Sequence, residues 1–196
     1  MTRATSSTKR ATFLWSAAFM VGMSGTGALL FTDFVQPPWG MAVMLVPMLL
    51  LIPLVRASER MQRAAGSASP AAARYNRRML AASFAYVIGF LVAVALFVDQ
   101  TVSKPVAAML SLLPTFGTFG MIWAMARYVT EESDEYLRVR TVNAALVATG
   151  LLLATGTFWG FLTTFGVAPH VPMWVLVPIW AMGLGIGQLV NKVREA

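Results

Sequence analysis

The run MLAASFAYVIGFLVAVALFV, residues 79–98, carries no side chain that is charged at neutral pH. An α-helix rises 1.5 Å per residue, so twenty residues cover about 30 Å, which is the thickness of the hydrocarbon core of a bilayer. Such a helix is stable in lipid because all of its backbone hydrogen bonds are made within the segment. The run therefore predicts a helix that crosses a membrane.

Five further apolar runs of similar length occur in the chain of 196 residues. With the first run they give six predicted spans, at residues 12–32, 39–55, 79–98, 106–127, 142–164 and 172–190. The composition agrees, because 58% of the residues are apolar and the mean hydropathy is +0.69, which is too high for an ordinary soluble domain. We predict an all-α integral membrane protein with six transmembrane helices in a single membrane domain, residues 1–196.

The positive charges predict the orientation of these helices, because short loops rich in Lys and Arg stay on the cytoplasmic side. Fourteen of the fifteen Lys and Arg residues flank one end of the spans, and only Lys104 lies at the other end. We therefore expect both termini in the cytoplasm and a location in a bacterial cytoplasmic membrane. The net charge of +7 follows from this topology and from attraction to anionic lipid headgroups, so nucleic acid is not an expected partner.

The three loops predicted on the outer side share one pattern. In each, a proline at the start of the next span is followed nine residues later by a second proline. The loops are QPPWGMAVMLVP, SKPVAAMLSLLP and VAPHVPMWVLVP, and they end at Pro47, Pro114 and Pro178. This regular spacing predicts three copies of one helical hairpin. We place the copies at residues 10–56, 78–127 and 140–192, with a basic linker at 57–77.

The inner prolines predict helix kinks at Pro47, Pro114 and Pro178, because a proline within a helix removes a backbone hydrogen bond and bends the helix. Two interpretations are open. Either the prolines are a shared packing feature of three related hairpins, or the kinked second, fourth and sixth helices line a central cavity. Thr115 and Thr118 lie beside Pro114. Such hydroxyls are expected to bond to carbonyls of their own helix.

The predicted spans contain few side chains that could take part in catalysis or ion transport. Ionisable residues inside a bilayer mark ion and proton pathways, and the predicted spans contain none except at their ends. No acid and base pair lies within reach at that depth, so we lean against an enzyme. The chain has no cysteine, which excludes cysteine-based metal sites, and we predict neither a metal nor a cofactor.

Three polar residues at the outer ends of the spans form a candidate site. Asp33, Asp99 and His170 could gather at one mouth if the three hairpins surround an axis, and a carboxylate–imidazole site would result. The alternative is that each residue is solvated at the level of the lipid headgroups.

The most distinctive charged stretch is ARYVTEESDEYLRVR, residues 126–140. If one helix continues through it, Arg127 faces Glu131 and Asp134 faces Arg138 at i, i+4. The stretch is then either a helical extension that stands off the membrane or a surface that binds a protein partner. Four of the eight acids of the chain lie within five residues here. We predict the partner-binding residues Arg127, Glu131, Glu132, Asp134, Glu135, Arg138 and Arg140.

The segment ESDEYLRVR, residues 132–140, resembles the acidic cytoplasmic loop of small uncharacterised bacterial multi-pass membrane proteins. Some of those proteins look like partners of helix-turn-helix regulators, so the resemblance implies a protein partner in the cytoplasm or membrane and no catalytic role. We therefore expect a non-enzymatic membrane protein that binds or regulates a partner through residues 127–140. The alternative is a channel or facilitator for a small neutral or apolar solute, lined by the second, fourth and sixth helices.

Overall fold

The computed structural model describes residues 2–30, 40–64, 66, 68–97 and 103–194, and every regular element within these ranges is a helix. The all-α prediction is therefore confirmed for the described residues. Two short 3₁₀ helices, Gly40–Met44 and Met173–Val175, precede the second and sixth α-helices. The α-helices are α1 Thr2–Leu30, α2 Leu45–Ala64, α3 Pro70–Phe97, α4 Lys104–Glu131, α5 Glu135–Thr164 and α6 Leu176–Arg194.

Five segments of the described chain are long and apolar enough to cross a membrane. They are Ala42–Ala64, Pro70–Phe97, Lys104–Glu131, Glu135–Thr164 and Met173–Asn191. These five correspond to the second to sixth predicted spans. The first predicted span, 12–32, falls on α1, which is helical through Leu30 but is not one of the five.

Small residues, and not large ones, form the buried positions of the helices. No large side chain among the described residues is fully buried, whereas Ala124 and Ala148 are inaccessible. Large apolar side chains such as Phe13, Met109 and Leu189 are instead exposed along the helices. In a soluble protein so much exposed apolar surface would favour association, whereas in a bilayer the lipid chains cover it.

The segment predicted as a basic linker, residues 57–77, is mostly helical. Helix α2 continues to Ala64 and α3 begins at Pro70. Segment 56–64 is rich in Arg, Ala, Glu, Met and Gln, all of which favour helix. The Oγ of Ser69 accepts hydrogen bonds from the amides of Ala71 and Ala72 at 3.1 and 3.3 Å, and Pro70 takes the first helical position. Both features are strong signals for a helix start.

The three inner prolines do not share one structural position, and this corrects the prediction of three equivalent kinks. Pro47 and Pro178 are the third residues of α2 and α6, directly after the 3₁₀ turns. Amides in the first turn have no intrahelical partner, so proline there removes no α-helical hydrogen bond. Pro114 does lie inside α4, and Pro53, which is not part of the repeated pattern, lies inside α2.

The chain divides into two compact units, Met1–Tyr128 and Val129–Ala196. In the first unit α1 packs against α2, and α2 packs against α3. Gly22 of α1 faces α2 closely, because a Cβ built on it would come within 3.0 Å of the Leu50 Cδ1 and 3.8 Å of the Pro47 Cα. The glycine therefore allows the two helices to approach.

Helices α3 and α4 of the first unit meet backbone to backbone at two glycines. A Cβ on Gly117 would lie 2.4 Å from the Tyr86 backbone nitrogen, and a Cβ on Gly89 would lie 2.8 Å from the carbonyl carbon of Leu113. Real Cβ atoms essentially never come so close. Near the start of α3 and the end of α4 the contact is between larger side chains. The rings of Tyr75 and Tyr128 have centroids 5.1 Å apart there. These paired positions rise along α3 as they fall along α4, so the helices are antiparallel.

In the second unit α5 and α6 pack through an antiparallel zipper of small residues. A Cβ on Gly183 would lie 2.7 Å from the Ala148 Cα, and a Cβ on Gly187 would lie 2.6 Å from the Ala144 Cα. Both alanines are buried. Small residues at such contacts let membrane helices associate through van der Waals packing, which is the drive available in lipid.

Candidate partner-binding site

The predicted partner-binding residues surround a break in the helix between α4 and α5. Residues 132–134 are not helical, so the continuous helix considered in the sequence analysis is not present. Arg127 lies on α4 in the first unit and is exposed. The other six residues, from Glu131 to Arg140, belong to the second unit. Their individual roles differ more than the sequence suggested.

Asp134 is the N-cap of α5. One of its carboxylate oxygens, Oδ1, accepts hydrogen bonds from the backbone amides of Tyr136 and Leu137 at 2.9 and 3.3 Å. These amides would otherwise lack a partner, and a negative charge at a helix start is also favoured by the helix dipole. The cap explains why the chain resumes its helix here and why Asp134 does not face Arg138 as predicted.

Glu132 is only 5% exposed, so it is not available on a partner-binding surface. Its Oε1 accepts a hydrogen bond from the Asp134 backbone amide at 3.2 Å, which turns the side chain into the bend. This corrects the prediction for Glu132 and makes it a structural residue of the turn. Glu131, the last residue of α4, is partly buried.

The exposed part of the site is the first turn of α5. Glu135 and Arg138 form an ion pair one turn apart, in which the Arg138 Nη2 donates to the Glu135 Oε2. Two neighbouring residues of the same turn also expose apolar surface. Tyr136 is 53% exposed and Val139 is 46% exposed. A protein partner could use both the charges and this apolar area. No pattern in the sequence indicates a role for Tyr136 or Val139.

Arg140 connects the start of α5 to the end of α6. Its Nε donates to the Gln188 Oε1 at 3.1 Å, and its backbone carbonyl accepts from the Asn191 Nδ2 at 2.7 Å. Asn191 is buried. Arg140 is thus a positioning residue that fixes the helix carrying Glu135 and Arg138. The sequence did contain a signal for Asn191, since Gly183, Gly187 and Asn191 recur at i, i+4 and i+8 and share one face of α6.

Of the outer-mouth residues, only His170 lies among the described residues, and it is exposed. Asp33 and Asp99 fall outside them, so that site stays a prediction. Hydrogen bonds and a glycine form the turn before His170. Gly166 has a φ of 71°, a conformation that favours glycine, and the Trp159 Nε1 donates to the Pro169 carbonyl at 3.2 Å. No group of three His, Asp or Glu side chains in the described ranges could hold a metal ion.

Several hydroxyls in the spans donate to carbonyls of their own helices, as expected for Thr115 and Thr118. The Thr115 Oγ1 donates to the Ser111 carbonyl at 2.8 Å, and the Thr118 Oγ1 donates to the Pro114 carbonyl at 3.4 Å. On α5 the Thr155 Oγ1 donates to the Leu151 carbonyl at 2.8 Å. These three hydroxyl protons are therefore engaged within their own helices, and each oxygen keeps lone pairs that can accept a hydrogen bond.

Comparison of the chain with protein-family models, with curated proteins and with solved structures finds no match to any of them. The resemblance of residues 132–140 to a loop of bacterial membrane proteins therefore stays a prediction. Any assignment of function depends on the residues of this chain and on their geometry.

Proposed function

We propose that this chain is a non-enzymatic, multi-pass protein of a bacterial cytoplasmic membrane that binds a protein partner through residues 127–140. The five segments able to cross a membrane support the environment. The uneven distribution of Lys and Arg supports an orientation with both termini and residues 127–140 in the cytoplasm. The same distribution favours anionic lipid headgroups on the cytoplasmic side.

Three repeated hairpins are part of this proposal, and glycine spacing supports them. Gly22, Gly89 and Gly156 recur at intervals of 67 residues. In each case the nearest atom of another helix belongs to a residue within three positions of an inner proline: Leu50, Leu113 and Leu176 respectively. The contact is close at the first two glycines, and at Gly156 it is an ordinary one, 3.9 Å from the Leu176 Cδ2. Similar packing at an equal spacing is what duplicated hairpins would share.

The observation that carries the partner-binding proposal is that the exposed turn is held in place from two sides. Asp134 caps α5, and Arg140 ties the same helix to Gln188 and Asn191 of α6. Exposed charges that move freely lose conformational entropy when they bind, whereas charges on a fixed helix lose less. A preorganised surface of Glu135, Arg138, Tyr136 and Val139 is therefore suited to binding.

A photo-crosslinking experiment tests the proposal. A photoreactive amino acid in place of Val139 should crosslink a discrete protein in the membranes of the host cell. The double variant Asp134→Asn and Glu135→Gln removes two charges but keeps the cap, because asparagine is as good an N-cap as aspartate. We expect this variant to lose the crosslinked product. Glu59→Gln, which removes an acid from the first unit, should keep it.

The proposal is wrong if Val139 captures no protein, or if the charge-removed variant captures the same product as the unchanged chain. The channel alternative receives no specific support, because the hydroxyl protons of Thr115 and Thr118 on α4 are donated within that helix. Solute flux through liposomes that contain the purified protein would favour the channel instead.

A further inference from the structure

Helix α2 continues beyond its apolar segment as RASERMQRA, residues 56–64, and this extension carries a basic stripe. Arg56, Arg60 and Arg63 recur at i, i+4 and i+7, so they share one face of the helix. All three are exposed. From the first to the third the helix rises about 10 Å. The stripe is therefore a row of guanidinium groups arranged along the helix axis.

The first turns of α3 extend this basic surface. The Asn76 Nδ2 donates to the Glu59 Oε1 at 3.3 Å, which joins α3 to the extension of α2. Arg77, the next residue, is exposed. Gly66, with a φ of 70°, lies in the short turn that joins the two helices. The two basic helix ends are thus held together and are not a loose linker.

Acidic side chains neutralise little of this charge. The one described ion pair at the stripe joins Arg63 to Glu59 at 3.8 Å, and the Arg63 side chain is 68% exposed. Such an exposed pair is weak. Within the described part of the chain, Arg56, Arg60 and Arg77 form no ion pair. The stripe keeps its positive charge and needs an anionic partner from outside.

The position of the stripe favours lipid phosphate as that partner. The apolar span ends at residue 55, so Arg56 follows at the edge of the hydrocarbon core. The headgroup layer of one leaflet is roughly 5–7 Å deep, and the stripe covers that depth and continues past it. Arginine binds phosphate through two parallel hydrogen bonds, which suits it to headgroups better than a point charge would be.

We propose that Arg56, Arg60, Arg63 and Arg77 form a binding site for the phosphate groups of anionic phospholipids at this end of α2 and α3. The inference deepens the proposed function and rests on its membrane location, but not on which side faces the cytoplasm. It adds a selective lipid site to the general attraction between positive loops and a negative membrane surface.

Spin-label measurements in nanodiscs test this site. The full-length protein is reconstituted in phosphatidylcholine with a trace of spin-labelled phosphatidylglycerol or spin-labelled phosphatidylcholine, and electron paramagnetic resonance gives their relative association with the protein. We expect a preference of about fivefold or more for phosphatidylglycerol. One arginine near anionic lipid contributes about 1 kcal/mol, which corresponds to about fivefold in association. The variant with Gln at all four arginines should lose most of this preference and keep only the weaker general attraction of the remaining Lys and Arg residues. Lys104→Gln, which removes a charge from the other end of the helices, should retain the preference.

Equal association of the two lipids with the unchanged protein would overturn the inference, and so would a preference that is undiminished in the four-glutamine variant. Free phosphate is the other anion that the arginines could bind, and it is tested by repeating the measurement in phosphate and in chloride at the same ionic strength. Loss of the lipid preference in phosphate but not in chloride would mean that the site binds free anions. If the four-glutamine variant loses helix content by circular dichroism, Arg56→Gln with Arg60→Gln takes its place. Both leaflets of a nanodisc are equivalent, so a wrong orientation would not change these results.

Discussion

Gly117 and Tyr86 lie so close together that a Cβ on the glycine would fall 2.4 Å from the backbone nitrogen of the tyrosine. The contact joins α4 to α3 at the level where both helices are apolar. Backbone on the facing helix cannot rotate away as a side chain can, so the two helices would have to separate to admit even a methyl group.

We therefore expect Gly117→Ala to destabilise the α3–α4 pair by about 1–3 kcal/mol, the usual cost of forcing a methyl group into a packed interface. Thermal unfolding in detergent, followed by circular dichroism, measures the effect. Gly150→Ala is the matched control, because nothing lies within 4 Å of a Cβ at Gly150. Equal stability of the two variants would contradict the observed packing.

Helix α6 offers a second comparison within two residues. Gly187 faces α5, with the Ala144 Cα 2.6 Å from a Cβ built on it, whereas Gly185 has nothing within 4 Å. We expect Gly187→Ala to lower the unfolding temperature clearly. Gly185→Ala should leave it unchanged or raise it slightly, because alanine favours helix over glycine by about 1 kcal/mol. The reverse order would mean that α6 is rotated about its axis relative to the structure.

The cap of α5 predicts different outcomes for two substitutions of Asp134. Alanine removes the acceptor for the amides of Tyr136 and Leu137, at a cost of about 1 kcal/mol, whereas asparagine keeps it. Hydrogen–deuterium exchange of the peptide that contains these amides should accelerate about fivefold in Asp134→Ala and little in Asp134→Asn, since 1.4 kcal/mol corresponds to a factor of about ten. If both variants exchange alike, the cap is not formed.

Asn191 is expected to stabilise the end of the α5–α6 hairpin. Asn191→Leu keeps the side-chain volume but removes the donor to the Arg140 carbonyl, and we expect a loss of about 1 kcal/mol. Chemical denaturation in detergent measures this loss. The same substitution at Asn143, which is only partly buried, is the control. A loss no larger than that of Asn143→Leu would show that the hydrogen bond contributes nothing to stability.

The sequence predicted the helices better than their ends. Counting apolar residues finds where a chain can cross lipid, but the count stops at the first charged residue and so predicts that the second span ends at residue 55. Helix α2 continues for nine residues more, because RASERMQRA favours helix in water as well. The signal for the next start was present in Ser69 and Pro70, an N-cap residue followed by proline.

The sequence predicted which residues lie near the candidate site, but not how their side chains are arranged. Charge counting found Asp134 and Glu132, yet the first caps a helix and the second is buried, because the local backbone amides need acceptors. Neither Gln188 nor Asn191 was linked to Arg140, since they lie 48 and 51 residues away in sequence. Only the fold brings such residues together. Similarly, the sequence does not distinguish Gly185 from Gly183 and Gly187, and only the fold shows which of them face α5.

Labelling of single cysteines tests the central claim most directly. The chain has no cysteine of its own, so Cys can be placed one position at a time at Ala68, Ser103, Ser133 and His170, all of which are exposed. A membrane-impermeant maleimide is then added to intact bacterial spheroplasts or to inverted membrane vesicles.

The proposed topology predicts that Ser103→Cys and His170→Cys react in spheroplasts, whereas Ala68→Cys and Ser133→Cys react only in inverted vesicles. Reaction of Ser133→Cys and His170→Cys from the same side of the membrane would contradict the arrangement in hairpins. Reaction of Ser133→Cys in intact spheroplasts would place the partner-binding residues outside the cytoplasm.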